Sequence, residues 1–332
     1  MNTIRRITIF LFAYLIVNSA NPTSTFSAEA PGKLTPVRIG IASRSPNPIP
    51  YFVALERGFF REEGLAVEII LMKAIQIIQS QLGGSIEFGA STGTAVSAAV
   101  NGADVRVVLA LNDRPDFDLI SLPSITNVQQ LRGKKIGVSA AGSLGEILAR
   151  EILIAHRVPP EQVTILALGQ SHFTYASLKA GIIEAIMAPM PNTFIAQDEG
   201  FRKLATGGDF YRSVNGGLSA TRALISKQPE LVTKVIRATL RAVHLLKSDR
   251  NYGIEFFKGP HLDIGRERHR LAERVYDAAV QGYLLTGTVD EELQREMIAD
   301  AARRIKPTQP VTPDRIFDFS FVQKVVETPR RP

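Results

Sequence analysis

Gly89-Ala90-Ser91-Thr92-Gly93 satisfies G-x-S-x-G, the spacing that in α/β hydrolases holds a serine nucleophile on a sharp strand-to-helix turn. Ser91 could attack an acyl carbon there if a histidine took its proton and a carboxylate oriented that histidine. The later histidines, His244, His261 and His269, all fall in helical or charged stretches, and no HGGG-type segment supplies an oxyanion hole. Glycine is common at such turns for conformational reasons, so a secreted serine hydrolase is the lesser alternative. The 332 residues include no cysteine, which excludes thiolate nucleophiles, disulfides, iron–sulfur clusters and cysteine-ligated zinc. H-E-x-x-H is absent too, so neither a metal nor a cofactor is expected, and no catalytic residue is assigned.

The same turn chemistry suits binding. At the carboxyl ends of parallel strands, loops open into helices whose first N–H groups point outward and carry partial positive charge. Ser43-Arg44-Ser45-Pro46-Asn47-Pro48 is such a loop. Its prolines stiffen it, Arg44 offers a planar fork to a carboxylate or sulfonate, and Ser43 and Asn47 add polar groups. A solvated surface arginine is the plainer account of Arg44. Ser91, Thr92 and Thr94 place hydroxyls at the start of a helix through Val100, where capping is the competing account. In Ser139-Ala140-Ala141-Gly142-Ser143, Ser143 and Glu146 match the S-x-x-E capping box, which alone explains both residues. Ser139, Gly142 and Ser143 remain binding candidates because one cap bond leaves other N–H groups available. Ser171 and His172, in Gln170-Ser171-His172-Phe173, precede a helix, although a lone histidine is more often structural. Met190 and Pro191 would supply an apolar wall.

Strands alternating with helices are needed to present these loops, and the chain reads that way twice. Residues 39–43 align with 136–140 at an offset of 97, and 84–88 align with 181–185 at the same offset. The first unit reads strand 37–42, helix 51–61, strand 67–71, helix 75–82 and strand 86–88. The second reads strand 135–138, helix 144–156, strand 163–168, helix 173–180 and strand 185–188. Such alternation implies parallel βαβ units with helices on both faces. A strand at 118–122 leads from the first unit to the second, and one at 218–226 returns. Pro229 fixes the start of a long helix over 230–247, and further helices are expected around 266–282 and 291–304. The stretch 317–322 is expected to dock on the first lobe. The expected fold class is α/β, with two lobes, each a mostly parallel sheet flanked by helices, joined by two hinge strands. Lobe I takes 36–122 and 218–332, and lobe II takes 123–217.

Composition agrees with a folded chain, at 45% hydrophobic and 21% charged residues. The net charge of +7 is dispersed and tryptophan is absent, so no nucleic-acid face is expected. Arg5 and Arg6, an apolar run at 7–17 and a small, polar stretch at 18–30 follow the order of a secretory signal. That run is shorter than the ~20 residues a spanning helix needs. The expected leader is 1–28, with the cut somewhere in 19–30, and without cysteine no lipid anchor can form. A periplasmic location follows, and the mature charge falls near +5.

Beyond these features the chain resembles a family over 36–326, nearly the whole mature sequence. The phrases are Tyr51-Phe52-Val53-Ala54-Leu55-Glu56-Arg57-Gly58-Phe59-Phe60-Arg61-Glu62-Glu63-Gly64-Leu65, then Glu87-Phe88-Gly89, then Leu131-Arg132-Gly133-Lys134-Lys135-Ile136-Gly137-Val138, and late Phe317-Asp318-Phe319-Ser320. They are similar to the extracytoplasmic solute-binding proteins of ABC transporters, in the group that includes sulfonate, taurine, nitrate and thiamine-pyrimidine-precursor binders. The resemblance implies a type II periplasmic-binding-protein fold, a cleft for one small molecule, and lobe closure that a membrane permease with its cytoplasmic ATPase reads. It implies a monomer, with hinge strands near 119–122 and 218–223. Relatives that make pyrimidine use a Cys-rich motif that has no counterpart here. Helix N-termini, hydroxyls and Arg44 favour a small organic anion, a sulfonate or carboxylate. A neutral or aromatic heterocycle comes next, with Phe52, Phe173 or Tyr175 to stack on it. A binding protein that reports to a membrane receptor is the alternative to transport.

Overall fold

Val37, Ile39 and Ile41 are buried along β1 (Thr35–Ile41), the strand around which the first of two sheets is built. The structure is a computed structural model that describes residues 34–169, 171–262 and 269–327. The expected leader at 1–28, Gln170 and the side chain of His269 lie outside the described residues.

After β1 come α1 (Ile49–Glu56), α2 (Phe59–Glu62), β2 (Leu65–Leu71), α3 (Ala74–Leu82), β3 (Phe88–Ala90), α4 (Thr92–Val100) and β4 (Val105–Ala110). The second series is β5 (Phe117–Ser121), β6 (Lys135–Val138), α5 (Leu144–Ala155), β7 (Thr164–Ala167), α6 (Ser171–Lys179), β8 (Ala185–Pro189), α7 (Asn192–Asp198) and β9 (Arg202–Thr206). The chain then returns through β10 (Gly217–Thr221) into α8 (Arg222–Lys227), α9 (Pro229–Ser248), α10 (Arg250–Phe257), α11 (His269–Gly282), α12 (Glu291–Ile305), α13 (Pro313–Ile316) and α14 (Ser320–Glu327).

The sheets have matching orders, β2-β1-β3-β10-β4 and β7-β6-β8-β5-β9. In each, the fourth strand is antiparallel and is contributed by a chain crossing from the other half: β5 pairs with β8 and β9, and β10 with β3 and β4. The sheets are therefore mixed, and the crossing strands at 117–121 and 217–221 are interior strands rather than free connections. Helices cover both faces of both sheets. This is the expected two-lobed α/β class.

The 97-residue offset recurs in contacts. Glu87 accepts the backbone N–H of Arg38 at 2.6 Å, and Glu184 accepts that of Lys135 at 2.8 Å. A Cβ on Gly40 would lie 2.8 Å from Ile86 and 3.3 Å from Ile77. One on Gly137 would lie 2.6 Å from Ile183 and 2.8 Å from Thr174, the residues at the equivalent positions. Both glycines admit a close helix–strand approach that any side chain would block.

Several element boundaries differ from expectation. The single helix over 51–61 is two, because Gly58 turns the chain at φ +74° between α1 and α2. The return strand ends at Thr221, whose hydroxyl accepts the N–H of Leu224 and starts α8. β3 lies two residues later than expected, at 88–90.

The family phrases are mostly scaffold. Tyr51 is buried and its hydroxyl donates to the carbonyl of Gly217 at 2.8 Å. Phe60 is buried beneath α9, Arg241 pairs with Glu62 at 2.6 Å, and Arg237 pairs with the fully enclosed Glu63 at 2.7 Å. Phe317 bridges to Val107, and the Asp318 N–H donates to the Val107 carbonyl at 2.9 Å. The late phrase thus docks on the first sheet, as expected.

Candidate functional site

Strands β1, β3, β6, β7 and β8 all end on one cleft, and the loops that follow them enclose a cavity of about 930 Å³. Its wall is completed by the two crossings between the sheets and by α12. Twelve residues expected from sequence line it: Ser43, Arg44, Asn47, Ser91, Thr92, Thr94, Gly142, Ser143, Ser171, His172, Met190 and Pro191. Ser139 does not. It is exposed, and its carbonyl accepts the N–H of Gly169, tying the end of β6 to the end of β7 while the chain turns residues 142–144 inward.

Several of these residues have their polar groups engaged. The Thr92 hydroxyl donates to the carbonyl of Val214 at 2.8 Å, fastening α4 to the second crossing. The Ser91 hydroxyl donates to Thr94 Oγ1 at 3.0 Å. His244 is exposed on α9, and His261 pairs with Glu56 and stacks on Phe52 at 4.1 Å; neither lines the cavity. Gly89 of the G-x-S-x-G pattern has a packing reason: a Cβ there would lie 2.5 Å from both Gln81 Oε1 and Ile77. Arg44 is exposed at the rim and donates to the carbonyl of Pro260 at 3.2 Å. Of the aromatic candidates, Tyr175 lines the cavity, whereas Phe52 and the exposed Phe173 do not.

Of the expected capping box only the Ser143 half forms, because the Ser143 N–H goes to the Ala140 carbonyl and Glu146 reaches the N–H of Gly142 instead. The Ser143 hydroxyl accepts the N–H of Glu146 at 3.4 Å, and Glu146 Oε2 accepts the N–H of Gly142 at 2.7 Å. Arg150 donates to the same carboxylate at 2.6 Å. The Gly142 N–H, followed by Arg150, holds the Glu146 carboxyl below its ordinary range.

Sequence reasoning expected the crossing strands and the helix near 291–304, but not that residues beside them would line the cavity. Asn112 is buried between the two connections: its Oδ1 accepts the N–H groups of Asn215 and Gly216 at 2.9 Å each, and its Nδ2 donates to Asn47 Oδ1 at 2.7 Å. Asp116 lies on the cavity wall beside them, and its Oδ1 accepts from Asn215 Nδ2 at 2.9 Å. At the far end Tyr211 donates to Asp300, which also pairs with Arg303 and Arg304. The polar cluster Asn112-Asp113-Arg114-Pro115-Asp116 between two apolar strands was the available signal for the first crossing. Nothing comparable marks Asp300 within α12.

Burial pushes the Asp116 carboxyl up to about 6, against a smaller pull down from Asn47 and Asn215. A carboxyl raised on folding costs stability once it ionises. The cost is absent where both states are protonated, below about pH 4, and full above about pH 6. Asp116→Asn is therefore expected to stabilise the unliganded protein by about 2–3 kcal/mol at pH 7.5. Urea titrations at pH 7.5 and pH 3.5 check this, because the gain must shrink at the lower pH.

The lobes also touch outside the cavity. Arg274 on α11 pairs with Asp198, donates to Gln197 Oε1 at 3.0 Å, and lies 4.7 Å over the ring of Phe194 on α7.

Comparison with known proteins places the chain. The family described as NMT1/THI5 like matches residues 45–250. The riboflavin-binding protein RibY of Chloroflexus aurantiacus is 26% identical over 265 residues, 73% of this chain and 74% of that one. The 4-amino-5-hydroxymethyl-2-methylpyrimidine phosphate synthase THI13 of Saccharomyces cerevisiae is 30% identical over 146 residues, 42% of each chain. Among solved structures, the periplasmic sulfonate-binding protein SsuA of Methylobacillus flagellatus KT superposes with a TM-score of 0.72 at 18% identity, over 89% of this chain and 94% of that one. At that identity the likeness concerns the fold, the two-lobed arrangement of periplasmic binding proteins.

Proposed function

This chain belongs to the NMT1/THI5-like family, and from that premise we propose that it is the extracytoplasmic solute-binding component of an ABC importer. Residues 1–28 are its secretory leader, and its place of work is the periplasm. The solute is a small organic molecule with an anionic, sulfonate- or carboxylate-like group, taken at Arg44 and the N-terminus of α4. The observation that carries this reading is the cavity between the two sheets, lined by the loops after five strands. Lobe I spans roughly 36–122 with 218–332, lobe II 123–217, and rotation is absorbed at the crossings. Only contacts made across the closed cleft shift the balance toward closure, and the closed form is what a permease recognises. No bond in the solute changes. Ser91 bonds Thr94, which gives no support to a nucleophile there.

One observation favours a second ligand class. Tyr175, Met190 and Pro191 form an apolar flank in a cavity roomier than a bare inorganic ion requires, which suits a heteroaromatic ring.

A thermal-shift screen over alkyl sulfonates, nitrate, carboxylates, pyrimidines and riboflavin tests both. Sulfonates or carboxylates at 100 times their Kd are expected to stabilise by about 2.7 kcal/mol. That rise should vanish in Arg44→Ala. A response confined to pyrimidines or riboflavin sinks the anionic reading, and ester turnover lost in Ser91→Ala sinks the binding-protein reading altogether.

A further inference from the structure

Resting on the reading of this cavity as a solute site, we propose that Asp116 is its specificity residue and that the solute presents an N–H donor, a protonated amine or an amino group, to Asp116 Oδ2.

Asp116 borders the cavity, its Oδ1 accepts from Asn215, and its Oδ2 is enclosed and has no hydrogen-bond partner. Enclosed carboxylate oxygens are normally matched by donors, so one left over at a cavity wall points to a partner that arrives from outside the chain. The other carboxylates near the cleft are matched. Asp300 has Tyr211, Arg303 and Arg304; Asp118 has Thr193 at 2.6 Å and Lys203 at 3.8 Å; Asp113 has Arg212 at 3.3 Å. Among the described residues no ion pair involves Asp116.

Asn47 and Asn215 face Asp116 and pull its carboxyl down, but Asn215 Nδ2 is on Oδ1 and no hydrogen bond from Asn47 reaches Oδ2; the remaining neighbours cannot supply the donor either. Asp118 from β5 is itself acidic. Tyr283 lies close enough to feel the Asp116 charge, with Tyr51 behind it. Both phenols are buried and spent, Tyr283 on the carbonyl of Pro46 at 2.6 Å and Tyr51 on that of Gly217. The side that remains is the cavity. Its cations stand elsewhere, Arg44 at the rim and Arg304 beside Asp300. An acceptor group would find Arg44 and the start of α4, and a donor group would find Asp116, so the site distinguishes the two ends of one solute.

Two matched pairs test this by calorimetric titration at pH 7.5 of the mature chain: taurine against isethionate, and 4-aminopyrimidine against pyrimidine. The amino member of at least one pair is expected to bind about 10-fold more tightly or better than its partner. Asp116→Asn keeps the acceptor for Asn215 but turns the Oδ2 position into a donor. It should bring that ratio close to one, and Asp116→Leu should do the same. A merely structural role would lower both members of a pair alike and leave the ratio standing. Lowering the pH through about 6 should erode the preference for taurine in the wild type, because Asp116 then protonates. Equal binding within both pairs, no binding by any of the four, or a preference that survives Asp116→Asn overturns the proposal. Sulfonate binding without regard to the amine leaves the solute-binding reading intact while removing this one. Binding by 4-aminopyrimidine alone removes the anionic reading and leaves this one standing.

Discussion

Arg237→Ala is expected to destabilise the protein by about 3–5 kcal/mol, because it leaves the Glu63 carboxylate enclosed without its guanidinium. The Glu63 side chain is 0% exposed and that of Arg237 is 17% exposed, so water cannot readily take the place of the lost partner. Glu63 closes α2 at the point where Gly64, at φ +77°, swings the chain into β2, and α9 crosses above it. Losing the pair therefore loosens the docking of α9 as well as one ion pair. Equilibrium urea unfolding of Arg237→Ala, Arg237→Lys and the double change Glu63→Leu with Arg237→Met checks the mechanism. The lysine variant should recover part of the loss, and the apolar pair should cost less than Arg237→Ala. A loss under 1 kcal/mol in Arg237→Ala would show that the pair is not what holds this corner. The neighbouring Glu62–Arg241 pair is exposed on both sides, so Arg241→Ala should cost less than about 1 kcal/mol.

Gly217→Ala should be comparably damaging, at about 3 kcal/mol or more. Gly217 has φ +148°, and a Cβ there would stand 2.0 Å from the carbonyl oxygen of Leu109 and 3.1 Å from the Cα of Ala110. Those are backbone atoms of β4, which cannot swing aside as a side chain can. The residue also carries the carbonyl that Tyr51 bonds, and the β10–β4 register shifts one residue later, between Leu218 and Ser219. Gly216→Ala is the control, since its nearest neighbours are the side chains of Asn112 at 3.2 Å and Asn47 at 3.4 Å. Thermal melts should rank Gly217→Ala well below Gly216→Ala. Equal melting temperatures would mean that β4 yields at this crossing.

Much of this fold is visible in the sequence because the two halves repeat. A strand must pass a helix closely at Gly40 and again at Gly137, and the matching glutamates Glu87 and Glu184 latch the first strand of each half. Local rules reach that far. They do not reach the exchange of β5 and β10 between sheets, because a strand's pattern of burial says which face is wet, not which neighbour it pairs with. The same limit governs the cavity. Loops that follow strands announce themselves through serine, threonine and proline, and twelve loop candidates, seven of them of these types, meet at the cleft. Asp116 and Asn215 come from the crossings, and Asp300 and Arg304 from a helix far along the chain. Their role depends on tertiary placement, and a polar residue on an amphipathic helix looks the same whether it meets solvent or a cavity.

Glu146 gives the second lobe an internal competitor. Its carboxylate already occupies the Gly142 N–H at the mouth of α5, with Arg150 behind it. A tethered group competes at an effective concentration of about millimolar or higher. Stray chloride, sulfate or phosphate in the surrounding fluid must displace that carboxylate before it can lodge there, and most of its binding free energy is cancelled in doing so. The start of α4 carries no such plug, since Ser91 makes no side-chain cap bond. The two helix starts facing the cleft thus differ: the N–H of Gly142 just ahead of α5 is held by a carboxylate of its own chain, whereas the start of α4 makes no side-chain cap bond.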